Sequence, residues 1–195
     1  MPVENELKYV LDDPTGNLEG WLSNLDILGY DILQAYLDAD TRIRRFTSLD
    51  DGSVDWILSF KRKILGKQIE IEAPMTEADF TSLLPTADVV FTKRRYKVKT
   101  TSAEWDIDFL KDKKLGTYFV LAEAEMPDGQ TDPGVIPQDI INHMILEVGE
   151  LSGFGNKKLS DTKYATTLLK DLRKSAIKRR TYPSLEIPRL EKRYG

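Results

Sequence analysis

The chain contains no cysteine and a single histidine, His143. Disulfides, thiolate zinc sites and cysteine nucleophiles are therefore excluded. A histidine-rich metal site cannot be built, and a serine triad would rest on one imidazole. No apolar run approaches the roughly 20 residues a bilayer span needs, and the N-terminus does not read as a signal peptide; the expectation is a cytoplasmic protein with no membrane partner. Gly/Ser linkers, repeats and low-complexity tracts are also missing, so the 195 residues are read as one domain, 1–195, ending in a basic helix and tail from about residue 172. A net charge of -4 argues against general nucleic-acid binding.

What the sequence does contain is alternation. Period-two segments recur at 3–10, 33–46, 54–62, 67–73, 89–100, 104–110 and 118–126, divided by turn chemistry such as Asp50-Asp51-Gly52 and Pro127-Asp128-Gly129. Helical character is confined to 76–84, which opens as a capping box from Thr76 to Asp79, to 137–150, to 161 through about 178, and to a short stretch in 17–28. The expected fold is α+β and mainly β.

The alternate positions carry charge, and the charges come in like pairs. They are Glu4, Glu6 and Lys8; Arg42 and Arg44; Lys61; Glu70 and Glu72; Lys93 and Arg95; Asp106 and Asp108; Glu123 and Glu125. A solvated face mixes small polar residues with both signs, because like charges side by side repel. The same pattern on strand after strand points to a shared target. If about eight strands close into an antiparallel barrel, these positions converge on a wet interior. Apolar faces such as Trp105, Ile107 and Phe109 then point outward, where helices would cover them. Side chains at i and i+2 lie about 6 to 7 Å apart. A carboxylate pair at that spacing can hold a hard cation, and an Arg or Lys pair can reach successive phosphates. With neither histidine nor cysteine among the candidates, an all-oxygen site favours Mg²⁺ or Mn²⁺.

In order along the chain, Glu4-Asn5-Glu6-Leu7-Lys8, Gln34-Ala35-Tyr36-Leu37, Arg42-Ile43-Arg44, Lys61 and Glu70-Ile71-Glu72 are followed by Lys93-Arg94-Arg95-Tyr96, Asp106-Ile107-Asp108-Phe109, Glu123-Ala124-Glu125 and Asp161-Thr162-Lys163-Tyr164. This series resembles the ExExK, QGYL and RxR motifs, the strand lysine, and the ExE, KxRY, ExDxF, ExE and DxxY motifs of the CYTH family, the triphosphate tunnel metalloenzymes. Ala35 and Asp106 depart from that pattern.

The resemblance implies a closed eight-stranded antiparallel tunnel with helices packed outside, and a Mg²⁺- or Mn²⁺-dependent triphosphatase with two ions per site. It assigns Glu4, Glu6, Glu70, Glu72, Asp108, Glu123 and Glu125 to metal. Lys8, Arg42, Arg44, Lys61, Lys93 and Arg95 are assigned to the triphosphate, and Lys61 with Tyr36 to activation of water, a lysine flanked by cations having its neutral form favoured. Asp106 and Lys163 are further candidates. A tunnel lined only by charges favours inorganic tripolyphosphate, hydrolysed to pyrophosphate and phosphate. The alternatives are a nucleoside or thiamine triphosphatase, an adenylate cyclase and a non-catalytic polyphosphate- or nucleotide-binding module. A homodimer is compatible with this reading. His143, Trp21, Trp56 and Trp105 are read as structural, and the basic C-terminal segment as a solvated helix end.

Overall fold

The computed structural model describes residues 5–64, 67–149 and 152–181, without the side chains of 63, 64, 67, 68, 152 and 177–181. Among the described residues there are nine strands: β1 (Glu6–Leu11), β2 (Gly29–Tyr36), β3 (Thr41–Ser48), β4 (Val54–Ile64), β5 (Lys67–Pro74), β6 (Val89–Lys99), β7 (Glu104–Lys111), β8 (Thr117–Glu125) and β9 (Met144–Glu147). They form one antiparallel sheet in the order β5-β4-β3-β2-β6-β7-β8-β1-β9. The helices are α1 (Asn17–Leu22), α2 (Glu77–Leu83), α3 (Gln138–His143), α4 (Asn156–Leu159) and α5 (Thr162–Thr181).

Local chemistry sets the breaks between elements. Gly52 and Gly129 take φ of 72° and 82° in the two turns expected from sequence, a region open to glycine and strained for most other residues. Thr76 caps α2 as expected: its hydroxyl accepts from the Asp79 N–H at 3.1 Å and donates to the Asp79 carboxylate at 2.6 Å. The stretch 33–46 is not one strand. Asp38 accepts from the N–H groups of Asp40 and Thr41 at 2.8 and 2.7 Å, and this Asx turn folds the segment into the β2–β3 hairpin. Nor is 137–150 a single helix, because after His143 the backbone pairs with β1 as β9.

Alternation along the strands separates two faces. The outer face carries Tyr9, Leu11, Tyr96, Trp105, Ile107, Phe109, Ala122 and Ala124, buried with Leu18 and Leu22 of α1 and Ile140 of α3. A smaller outer cluster of Ala35 and Ile43 is covered by Phe80 of α2. The inner face is charged over most of its length, but at one end it becomes apolar. There Val10, Phe91, Leu110, Phe119 and Leu121 pack on Leu159 of α4 and on Ala165, Leu168, Leu169 and Leu172 of α5. Those α5 positions follow one helix face. Arg173 fixes the helix to the end of β1 through Asp12, at 2.6 to 3.0 Å.

Two expectations are corrected. Among the described residues the sheet has nine strands and is not closed: β5 and β9 are its edges. β9 occupies the free side of β1 at Tyr9–Leu11, where a closing strand would have to bond, and Val148 donates to the Lys8 carbonyl at 2.8 Å. The sheet instead curls until its arms face each other, with Lys61 of β4 3.9 Å from Glu6 of β1. Nor do all the helices lie outside, since α4 and α5 block one end of the inner face. Among the described residues no helix is long and apolar enough to cross a membrane.

Candidate functional site

The curled inner face forms a trough of about 950 Å³, lined by side chains from all the strands β1 to β8 and from α4. Register explains how so many charges share it. Lys8 stands opposite Glu123, Lys61 opposite Glu70, Arg95 opposite Asp108 and Lys97 opposite Asp106. Like pairs that repel along a strand are thus neutralised across strands.

One wall is built around Asp108, which is fully buried. Arg95 grips it as a fork, Nε to Oδ1 and Nη2 to Oδ2, both at 2.7 Å, while Lys93 donates to Oδ2 at 2.5 Å. Arg95 also donates to Asp106, which takes a further bond of 2.5 Å from Lys97. Next to it Lys8 donates to Glu123 and lies 2.9 Å from Glu6. On the facing wall Arg42 donates to Glu70 and Arg44 to Glu72. Ser59 joins the second pair, accepting from Arg44 at 2.7 Å and donating to Glu72 at 3.0 Å. Lys61 lies 3.4 Å from Glu70. The Tyr36 hydroxyl accepts from Gln34 at 2.9 Å.

Electrostatics follow from this packing. Burial and then the neighbouring Arg95 push the Lys93 ammonium down to about 8, against the pull of Asp108. Burial, followed by Arg42, lowers Arg44 to about 10, with Glu72 opposing. For Asp108 burial acts upward but is outweighed by Arg95 and Lys93, so its carboxyl stays below the usual range. Glu123 is likewise held low, burial being overcome by Lys8 and Arg95. Burial raises the Tyr36 phenol despite Arg42. The Nε atoms of Arg42 and Arg44 and the Oε1 of Gln34 are buried with no hydrogen-bond partner among the described residues. Both arginines line the trough, and a guanidinium pair with donors to spare suits an anion with several acceptor oxygens.

The family that the sequence resembles implies a divalent cation, and the donor set can be tested for it. Glu6 and Glu125 sit directly opposite each other in the β1–β8 register, a like-charge pair. The Glu125 carboxyl is raised by burial, then by Asp106, with Glu6 contributing. These oxygens fit a hard cation, which would relieve their repulsion. Among the described residues no group of three or more potential ligands gathers into a cage. A hard cation at this rim would have few protein ligands and would keep water as the rest, the usual manner of Mg²⁺.

Of the candidates from sequence, Glu6, Lys8, Tyr36, Arg42, Arg44, Lys61, Glu70, Glu72, Lys93, Arg95, Asp106, Glu123 and Glu125 line the trough. Asp108 lies behind that lining, both oxygens engaged by cations. Glu4 falls outside the described residues. Lys163 is not brought in: it is exposed at the start of α5, its N–H bonded to Asp161 at 2.9 Å. The expectation that Lys61 stands among cations is also corrected, because Glu70 and Glu6 are within 4 Å of it.

Sequence reasoning missed Lys97, Ser59, Tyr30, Phe46, Ile57 and Lys157. The first five continue the inner parity of their strands, a signal that was available. Lys157 comes from α4, where no periodicity announces it; its ammonium lies 5.5 Å from the Tyr36 ring centre. His143 lies on the outer side, its Nδ1 2.7 Å from the Asp139 carbonyl, and Trp105 is fully buried in the outer core.

No protein-family model and no curated protein matches the chain. Among solved structures it is similar to the PH1819 protein of Pyrococcus horikoshii OT3, at 18% identity over 88% of this chain and 89% of that one, with a TM-score of 0.43. A Bacillus halodurans protein, described provisionally as an adenylate cyclase, matches at 10% identity over 99% and 98% with a TM-score of 0.43. A chain of the Schizosaccharomyces pombe Mediator head module matches at 10% over 93% and 96%, with a TM-score of 0.40. None of these likenesses assigns a role to the trough, so its function is read from its side chains.

Proposed function

We propose that the trough binds a triphosphate together with Mg²⁺ or Mn²⁺ and hydrolyses it. The observation that carries this reading is the convergence of Arg42, Arg44, Lys93 and Arg95 on one trough, two of them with buried, unpartnered Nε atoms. The order of motifs shared with the triphosphate tunnel metalloenzymes supports it.

In this reading Arg42 and Arg44 bind the phosphate chain from one wall, and Lys93, Arg95 and Lys8 from the other. Asp108 acts as an anchor that aims Arg95 and Lys93, while Glu6, Glu123 and Glu125, with Glu4, offer oxygens to the cation. Glu70 and Glu72 orient Arg42 and Arg44 and exchange partners as phosphate arrives. The bound cation supplies charge neutralisation and a more acidic water. The chain's own contribution is alignment: fixed cations meet the charge that grows on the phosphoryl oxygens during in-line attack. One water is consumed; a P–O bond to the leaving pyrophosphate breaks, and phosphate is released.

The test is release of phosphate from tripolyphosphate, the smallest compound that satisfies the reading. Release is expected with Mg²⁺ or Mn²⁺, abolished by EDTA and reduced at limiting substrate by Arg44→Ala. Failure under every metal, with tripolyphosphate and with nucleoside and thiamine triphosphates alike, would leave the second reading, a module that binds without turnover. What favours that alternative is the pair assigned to water activation. Burial raises the Tyr36 phenol, and Lys61 has the carboxylates of Glu70 and Glu6 within 4 Å. Metal-dependent binding beside zero turnover would select it.

A further inference from the structure

On the outer face of the sheet α1 and α3 cover one apolar cluster and α2 another, and a strip between them is left open. Register lays one row of side chains across that strip: Arg45 on β3, Leu33 on β2, Thr92 on β6 and Lys111 on β7. With Leu115 of the β7–β8 turn they line a cavity of about 360 Å³. Their parity is opposite to that of Arg44 and Lys93, so this cavity lies on the side of the sheet away from the trough. Val90, two residues before Thr92 on the same face, is 48% exposed.

The row has a cation at each end and none in its middle. Lys111 is engaged by Glu19 and Thr117, at 2.6 to 2.7 Å. Arg45 is exposed, and its guanidinium has no partner among the described residues. Just past Lys111 the turn carries Lys113 and Lys114, both exposed, with ammonium groups that are likewise unpartnered among the described residues. Leu115 follows them, 72% exposed and at a φ of 64°, a left-handed backbone that disfavours leucine. Packing gains little from a leucine there. Free cations at both ends of an apolar floor, in a chain of net charge -4, are complementary to an acidic partner.

Spacing narrows the partner. In the order β3-β2-β6-β7 the row crosses three strand intervals, about 14 Å. A small anion can reach only one end of it. An extended chain covers that distance in about four residues, so acidic side chains that far apart meet both ends while an apolar side chain between them enters the cavity. We propose that this strip binds an extended acidic segment of a partner protein, one whose acidic residues bracket an apolar side chain. The inference is independent of the triphosphate reading.

The probe is a blocked pentapeptide, Asp-Glu-Leu-Glu-Asp, titrated into the isotope-labelled full chain and followed by nuclear magnetic resonance. Saturable shifts are expected in the amides of Arg45, Thr92 and Leu115, and the affinity should fall as salt is raised. Arg45→Glu should weaken binding about tenfold to a hundredfold, the scale of a charge-assisted contact, and Leu115→Gly about tenfold, the scale of one partly buried leucine. Thermal melts verify that both variants fold. No saturable shift up to about 5 mM peptide overturns the proposal, as do shifts confined to the trough, an affinity unmoved in both variants, or equal binding of Lys-Lys-Leu-Lys-Lys. Equal shifts from inorganic phosphate overturn it in favour of a bare anion site. Concentration-dependent shifts of the same amides in the chain alone overturn it in favour of a second copy.

Discussion

Replacing Asp108 with asparagine keeps the shape of the side chain and removes its charge. In the native protein one carboxylate with no exposure satisfies two buried cations, Lys93 and Arg95. Breaking a buried ion pair by removing one partner costs about 3 to 5 kcal/mol. Two features place the expected loss at the lower end. Arg95 retains Asp106 and has Glu123 at 3.6 Å, and Lys93, already lowered to about 8, can lose its proton instead of remaining an uncompensated charge. The expected loss is then about 3 kcal/mol. For a chain of this length that corresponds to a fall in Tm of about 6 to 12 °C. Circular-dichroism melts at pH 7 measure it, and adding Lys93→Met should recover part of the loss. A change in Tm below about 2 °C would show that Asp108 does not hold these cations in a dry site.

Three further outcomes are expected. Arg44→Ala should weaken Mg²⁺-triphosphate binding about tenfold to a hundredfold by calorimetry, the scale of charge-assisted hydrogen bonds, and unaltered affinity would remove Arg44 from the site. Glu125→Gln should raise the Mg²⁺ concentration needed for binding while leaving the Tm in EDTA unchanged or slightly higher, because it relieves the repulsion with Glu6; a lower Tm would contradict the like-charge pairing. Asp108 has a folded pKa below the 3.8 of an unperturbed aspartate, so its stabilisation is fully present above that value and is lost as pH falls toward the folded one. Urea denaturation from pH 7 to 3 should therefore show a steeper acid loss in the wild type than in Asp108→Asn, and parallel curves would refute this.

The strands and their inner charges were legible because side-chain direction in a strand is fixed by parity. Glu123 and Glu125 must share a face whatever surrounds them. The same rule would have found Lys97 two residues after Arg95. Closure was not legible: it depends on what bonds to the second side of β1, and Met144-Ile145-Leu146 reads as readily as helix as it does as strand. Pairing across the trough was hidden too. Lys61 looked like a lysine among cations because its partners, Glu70 on β5 and Glu6 on β1, are set by register and curl rather than by spacing. The stop formed by α5 lay in an amphipathic pattern whose period gives a buried stripe without saying which side of the sheet receives it.

A hydrogen-bonded cylinder can widen only by giving up backbone ladders. Here Lys61 and Glu6 span the join between the two arms, with side chains 28% and 20% exposed. Such contacts exchange readily with dissolved ions and are weakened by them. Between the described residues of the two arms, parting Lys61 from Glu6 breaks an ion pair and no strand ladder. Such a contact should loosen as ionic strength rises.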